Sequence, residues 1–132
     1  MKYFTVAEFV RSDTADRRAI DNRLPKELLP NVQVLVNNVL DPLREAYGKP
    51  IRINSGFRCP ALNKAVKGSA TSDHMTGRAA DITGGSPAEN KKLFYLIQSL
   101  GLPFDQVIDE KNFAWVHVSY REGANRKQVL AL

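Results

Sequence analysis

The chain has 132 residues, 43% of them hydrophobic and 25% charged, a balance that fits one compact domain over residues 1–132 and excludes wholesale disorder. The formal net charge of +5 favours anionic partners. The Lys and Arg residues are scattered, however, with no aromatic-interleaved basic stripe, so no nucleic-acid partner is expected. The opening MKYFTVAEFV has one lysine, then a glutamate, and no long apolar run. Neither a secretion signal nor membrane insertion is expected from it, and the product is expected to be cytoplasmic as synthesised. Within that opening, Thr5 and Glu8 have the spacing of a capping box, and Phe4 and Phe9 stand at the staple positions of a helix start. Residues 12–25 are polar and read as loop. From Leu28, the residues Val32, Leu35, Val36, Val39 and Leu43 recur at helical spacing and predict a long amphipathic helix. Pro42 is expected to kink or split it near Asp41, and Gly48 and Pro50 to stop it.

IRIN (51–54) alternates as a short strand, SGFRCP is a turn, and residues 60–67 suit a short helix. AADIT (79–83) reads as a second strand. Ser86, Pro87 and Glu89 mark another helix start. Leu93, Leu96, Ile97 and Leu100 are expected on that helix's buried face, and Gly101 ends it. FDQVIDE and WVHVSY predict a strand pair, and the tail RKQVLAL an additional edge strand. The expected fold class is α+β: a small, mainly antiparallel sheet packed by helices, in a monomer.

The chain has two histidines. His74 lies seven residues before Asp81, around Gly77. Alternation in WVHVSY puts Val116, Val118 and Tyr120 on one face and Trp115, His117 and Ser119 on the other. Two neutral imidazoles and a carboxylate make a familiar zinc ligand set, with a fourth position left for water that ionises near neutral pH. Two histidines alone prove little, and the surrounding pattern decides more.

SGFRCPALN, SDHMTGRAADI and WVHVS together resemble the zinc D-alanyl-D-alanine carboxypeptidase family. That family belongs with the lysostaphin- and hedgehog-type zinc domains, and the likeness is nearest to its small single-domain members, which include phage endolysins. The pattern S-x-H-x-x-G-x-A-x-D with a later W-x-H is carried by Ser72, His74, Gly77, Ala79, Asp81, Trp115 and His117. The resemblance implies that His74, Asp81 and His117 bind Zn2+. It also implies that Arg58 faces the cleft and stabilises an oxyanion. Ser72 is expected to hydrogen-bond substrate or orient a ligand, and Trp115 to form the cleft wall. Asp73 is expected to point away.

In the carboxypeptidases of this family a glutamate precedes the second histidine by three residues. Here that place is Ala114. The general base must then be Asp109 or Glu110. A hairpin with an even-numbered loop puts Glu110 opposite Trp115 and on the face of His117, whereas an odd loop puts Asp109 there. The even loop KNFA, and the glutamate that small relatives carry here, select Glu110. Cys59 has no histidine partner once both bind metal, so it is rejected as a nucleophile. The resemblance implies a zinc-dependent peptidase acting on peptidoglycan stem or cross-link peptides, with terminal and internal cleavage both open. The alternative is a non-catalytic zinc-containing binding module of the same scaffold.

Overall fold

A computed structural model describes all 132 residues. Helix α1 (Val6–Val10) opens at the expected capping box: the Thr5 hydroxyl accepts from the Glu8 amide and the Glu8 carboxylate accepts from the Thr5 amide. Phe4 and Phe9 are both buried beneath it. The polar stretch read as loop contains a second short helix, α2 (Asp13–Arg17), whose first turn is capped by the Ser12 hydroxyl on the Ala15 amide. Its single buried residue is Ala15, so no apolar period marks it in the sequence.

A 3-10 turn (Lys26–Leu28) leads into α3 (Leu29–Leu35), a π-helical turn (Val36–Leu40) and α4 (Asp41–Tyr47). The three run on without a break, so Pro42 neither splits nor ends the helix. The π turn explains why. The Asp41 amide reaches back to the Val36 carbonyl five residues away, a wider loop in the ladder that accommodates the proline lacking a donor. Asp41 also accepts hydrogen bonds from the Lys2 and Tyr3 amides, tying the N-terminus to this point. Gly48 ends α4 in the left-handed conformation, with φ 75°.

The strands β1 (Arg52–Ser55), β2 (Ala79–Thr83), β3 (Gln106–Glu110), β4 (Trp115–Ser119) and β5 (Gln128–Ala131) form one sheet in the order β1-β2-β4-β3-β5. Neighbours are antiparallel except β5, which runs parallel to β3 as the outer strand. The tail leaves β4 beside the start of β3, and Arg126 is held there by the buried carboxylate of Asp105. It therefore enters the sheet from the same end as β3.

One face of the sheet carries Ile53, Ala80, Ile82, Val107, Val116 and Val118, all within a single core cluster shared with the long helix and α6 (Pro87–Ser99). On α6, Leu93 and Ile97 are buried, Leu96 is partly so, and Leu100 is 43% exposed. Leu100 is the C-cap, just past the last helical residue, Ser99. Alternation sends the odd-numbered residues of β2 and β4 to the opposite face, where the segment 67–72 that follows α5 (Pro60–Ala65) and the 3-10 turn Asp73–Thr76 border a cleft. No helix is long and apolar enough to cross a membrane.

Candidate metal centre

In the β2–β4 register Asp81 stands directly opposite His117, which brings two side chains 36 residues apart onto one rung. His117 Nδ1 lies 3.0 Å from Asp81 Oδ1. His74 arrives from the 3-10 turn, whose Ser72 cap accepts from the His74 amide at 3.2 Å. Gly77 closes the turn at φ 72°, and a Cβ there would stand 3.0 Å from Val32. Glycine is thus required both by the left-handed backbone and by the close approach of the long helix.

The His74 ring is buried, with Nδ1 2.6 Å from the Gly56 carbonyl. A carbonyl only accepts, so Nδ1 carries the proton of the neutral ring and the Nε2 lone pair is free. That lone pair faces Asp81 Oδ1 at 3.3 Å. Two electron-pair donors aimed at each other repel unless a proton or a cation lies between them. The donor atoms of His74, Asp81 and His117 all lie within 4.8 Å of one another. This nitrogen and oxygen set, with one tautomer locked by the backbone, fits a small divalent cation that prefers imidazole. Burial alone would push the Asp81 carboxyl up. A proton held between Asp81 and the rings of His74 and His117, where no cation is bound, outweighs it and keeps the carboxyl well below the usual carboxylate range, so Asp81 is an anion awaiting a positive charge.

These residues lie in a cleft of about 510 Å³ that also includes Arg58, Ser72, Gln106, Glu110 and Trp115. The β3–β4 register places Glu110 opposite Trp115 and Asp109 opposite Val116. Glu110 therefore emerges on the cleft face, and Asp109 on the other. Burial, then the nearby Asp81 carboxylate, push the Glu110 carboxyl above its ordinary range. The Asp109 carboxylate instead accepts from the Phe113 amide at 2.6 Å. That bond braces a loop in which Lys111, Asn112 and Phe113 are all left-handed, with φ of 49°, 56° and 63°. Three such non-glycine residues in a row are costly, and the buried Asn90 of α6 offsets the cost by donating to the Phe113 and Ala114 carbonyls.

Arg58 leaves the turn after β1. Its amide donates to the His74 carbonyl, and its guanidinium reaches Ser72 Oγ at 3.5 Å. Its Nε is buried without a partner, and no carboxylate lies within ion-pair distance. Burial pulls its pKa down, against the opposing pull of Asp81. The result is a partly desolvated cation free to take an anionic group. Trp115 lines the same cleft, and its indole N–H is likewise buried without a partner. Asp73 borders the cleft, but its carboxylate is paired with Arg121 at 2.5 Å, away from the three donors. Cys59 caps α5, its Sγ accepting from the Leu62 amide at 3.4 Å.

Three asparagines without a signal in the sequence hold this arrangement. Asn22 donates to the Val10 and Phe57 carbonyls and accepts from the Cys59 amide, fixing the turn that carries Arg58. Asn63 donates to the Ser69 carbonyl and anchors the cleft rim. Asn90 supports the loop after Glu110. Each is a polar residue that becomes buried only when distant segments close over it.

Residues 2–119 match the family model described as peptidase M15. The chain belongs to the peptidase M15 family. All the candidate site residues of this M15 chain fall inside the matched region, and β5 falls outside it. The zinc D-Ala-D-Ala carboxypeptidase of Streptomyces albus G is 48% identical to it over 48 residues, 36% of this chain. The matched stretch spans 19% of that relative's length.

Proposed function

We propose that this M15 chain is a zinc metallopeptidase that cleaves peptidoglycan stem or cross-link peptides at bonds involving D-amino acids. The observation that carries the reading is the convergence of His74, Asp81 and His117 on one point of a cleft that also holds an unpaired arginine and a carboxylate of raised pKa. His74 Nε2, an Asp81 oxygen and a His117 ring nitrogen would hold the metal, and three protein ligands leave a position for catalysis. When bound, zinc supplies Lewis acidity, which makes water nucleophilic at neutral pH and polarises a carbonyl.

Glu110 accepts the proton of the attacking water and delivers it to the leaving amine. A carboxyl raised above its ordinary range is better matched to that two-way transfer than an ordinary one. Arg58 holds the negative charge that develops on the carbonyl oxygen, and its lack of a carboxylate partner leaves it free for that role. Ser72, within reach of Arg58 and capping the turn of His74, orients both. Trp115 offers its ring and its unpartnered N–H to the substrate. The activity named for the Streptomyces albus G relative, a zinc D-Ala-D-Ala carboxypeptidase, supports D-Ala-D-Ala peptides as the substrate class.

The test is digestion of purified cell walls and defined muropeptides with and without chelator, with mass analysis of the released fragments. Chelator-sensitive release of amine and carboxyl termini at a D-amino acid is the expected result. Stoichiometric zinc binding with no bond cleaved in any wall peptide would refute hydrolysis and leave a binding module.

A further inference from the structure

The cleft face of the sheet does not end at β3. Gln106 opens that strand and lines the cleft, and its side-chain amide donates to Gln128 Oε1 on β5 at 2.7 Å. The two residues are register partners in the parallel pair. Gln106 is half-buried and Gln128 exposed, and neither side chain has another hydrogen-bond partner. One N–H···O bond between two primary amides leaves a free carbonyl on one and a free NH2 on the other. Exchanging oxygen and nitrogen in both amides leaves the same pair. What the solvent meets here is an uncharged acceptor beside an uncharged donor, held by two strands. That is the complement of a peptide group, and it contrasts with the cationic Arg58 in the same cleft.

Its position is also defined. Ile108 stands opposite His117, and Gln106 is two residues before Ile108 on the same face. That separation is roughly 7 Å along the strand, and β3 and β5 lie one and two strands to the side of β4, about 5 and 10 Å, so the pair stands roughly 8–12 Å from His117, the rise of about three residues of an extended peptide. Gln128 lies beyond residues 2–119, the part of the chain shared with the family.

We propose that the Gln106–Gln128 amide pair is a substrate subsite, binding a backbone peptide group about three residues from the scissile bond and so favouring extended peptides over short ones. The proposal rests on the peptidase reading above. It adds a specificity element supplied by β5.

The test uses zinc-loaded protein carrying Glu110→Gln, so that peptides bind without turnover. Calorimetry gives its affinity for a cross-linked muropeptide dimer and for dipeptide fragments of that dimer, with and without Gln128→Leu. Loss of one neutral hydrogen bond predicts about three- to tenfold weaker binding of the dimer. Fragment affinity and melting temperature should stay the same, because Gln128 is exposed and distant from the reacting centre. With Glu110 restored, Gln106→Ala or Gln128→Leu should raise KM for the dimer and leave kcat unchanged. Dimer and fragments weakened alike, or neither weakened, would overturn the subsite. If the parent protein binds neither peptide, the peptidoglycan reading itself fails, a result distinct from loss of length dependence.

Discussion

If Glu110 is the proposed general base, replacing it by glutamine should separate catalysis from folding in this chain. The side chain makes no hydrogen bond or ion pair with the rest of the protein, and its carboxyl is pushed up by burial and by Asp81. An acid with a raised folded pKa binds protons more tightly folded than unfolded. Its contribution therefore falls as pH rises through the carboxylate range, and the anion at neutral pH is a mild liability to the fold. Glutamine removes the charge and preserves the volume, so stability should hold or rise slightly. Activity should behave in the opposite way. A positioned general base contributes about 10²- to 10⁴-fold, or roughly 3–5 kcal/mol of barrier. The assay is kcat/KM on a defined muropeptide, with zinc content by atomic absorption and a urea melt on the same sample. Asp109→Asn is the comparator. It keeps an oxygen to accept from the Phe113 amide and lies on the other face, so it should retain activity within a few-fold. Glu110→Gln protein that keeps more than a tenth of wild-type kcat/KM, with full zinc, would refute the assignment. So would Asp109→Asn protein that is dead but well folded.

Asp105→Asn should destabilise the fold by about 2 kcal/mol at neutral pH, because it removes the buried carboxylate whose charged hydrogen bonds tie down Arg126. Arg126 holds the Asp105 carboxyl below its usual value against burial, so that stability is present above the unfolded pKa and is lost as pH falls through the folded one. The gap between wild type and variant in urea melts should close below about pH 4. Zinc at a hundred times its dissociation constant should stabilise the protein by about 2.7 kcal/mol. That corresponds to roughly 8 °C in melting temperature, and the shift should vanish in His117→Ala. Asn90→Ala removes bonds to Thr83, Gly84, Phe113 and Ala114 at once. It should cost about 3–4 kcal/mol, and kcat should fall with it as the loop after Glu110 loosens; full activity in a destabilised variant would disconnect Asn90 from the site.

Much of this protein is legible because its signals are local. The Thr5–Glu8 capping box, the Ser86 cap of α6 and the left-handed Gly48 each act within one helical turn. Alternation in AADIT and WVHVS requires only that one face be dry. The three residue types of the candidate metal centre are legible too, since few side chains bind a divalent cation and the motif preserves their spacing. Short or polar elements were not. Helix α2 buries one alanine, the π turn before Pro42 leaves the apolar period unchanged, and Leu100 keeps the helical spacing yet lies just past the last residue of α6.

The amino-acid sequence by itself determined which of the strongly patterned segments are helix or strand, which faces are apolar, and which side chains can ligate a metal, because those properties arise from neighbours a few residues apart. Only the tertiary structure decided that β2 lies beside β4, so that Asp81 faces His117 and the turn of His74 closes over both. It likewise fixed the β3–β4 register by which Glu110, the residue the even loop selects, enters the cleft, and it decided that the tail pairs parallel to β3. Strand order and register are set by the burial of a shared core and the hydrogen bonding of distant segments, and no local stretch of chain contains that information.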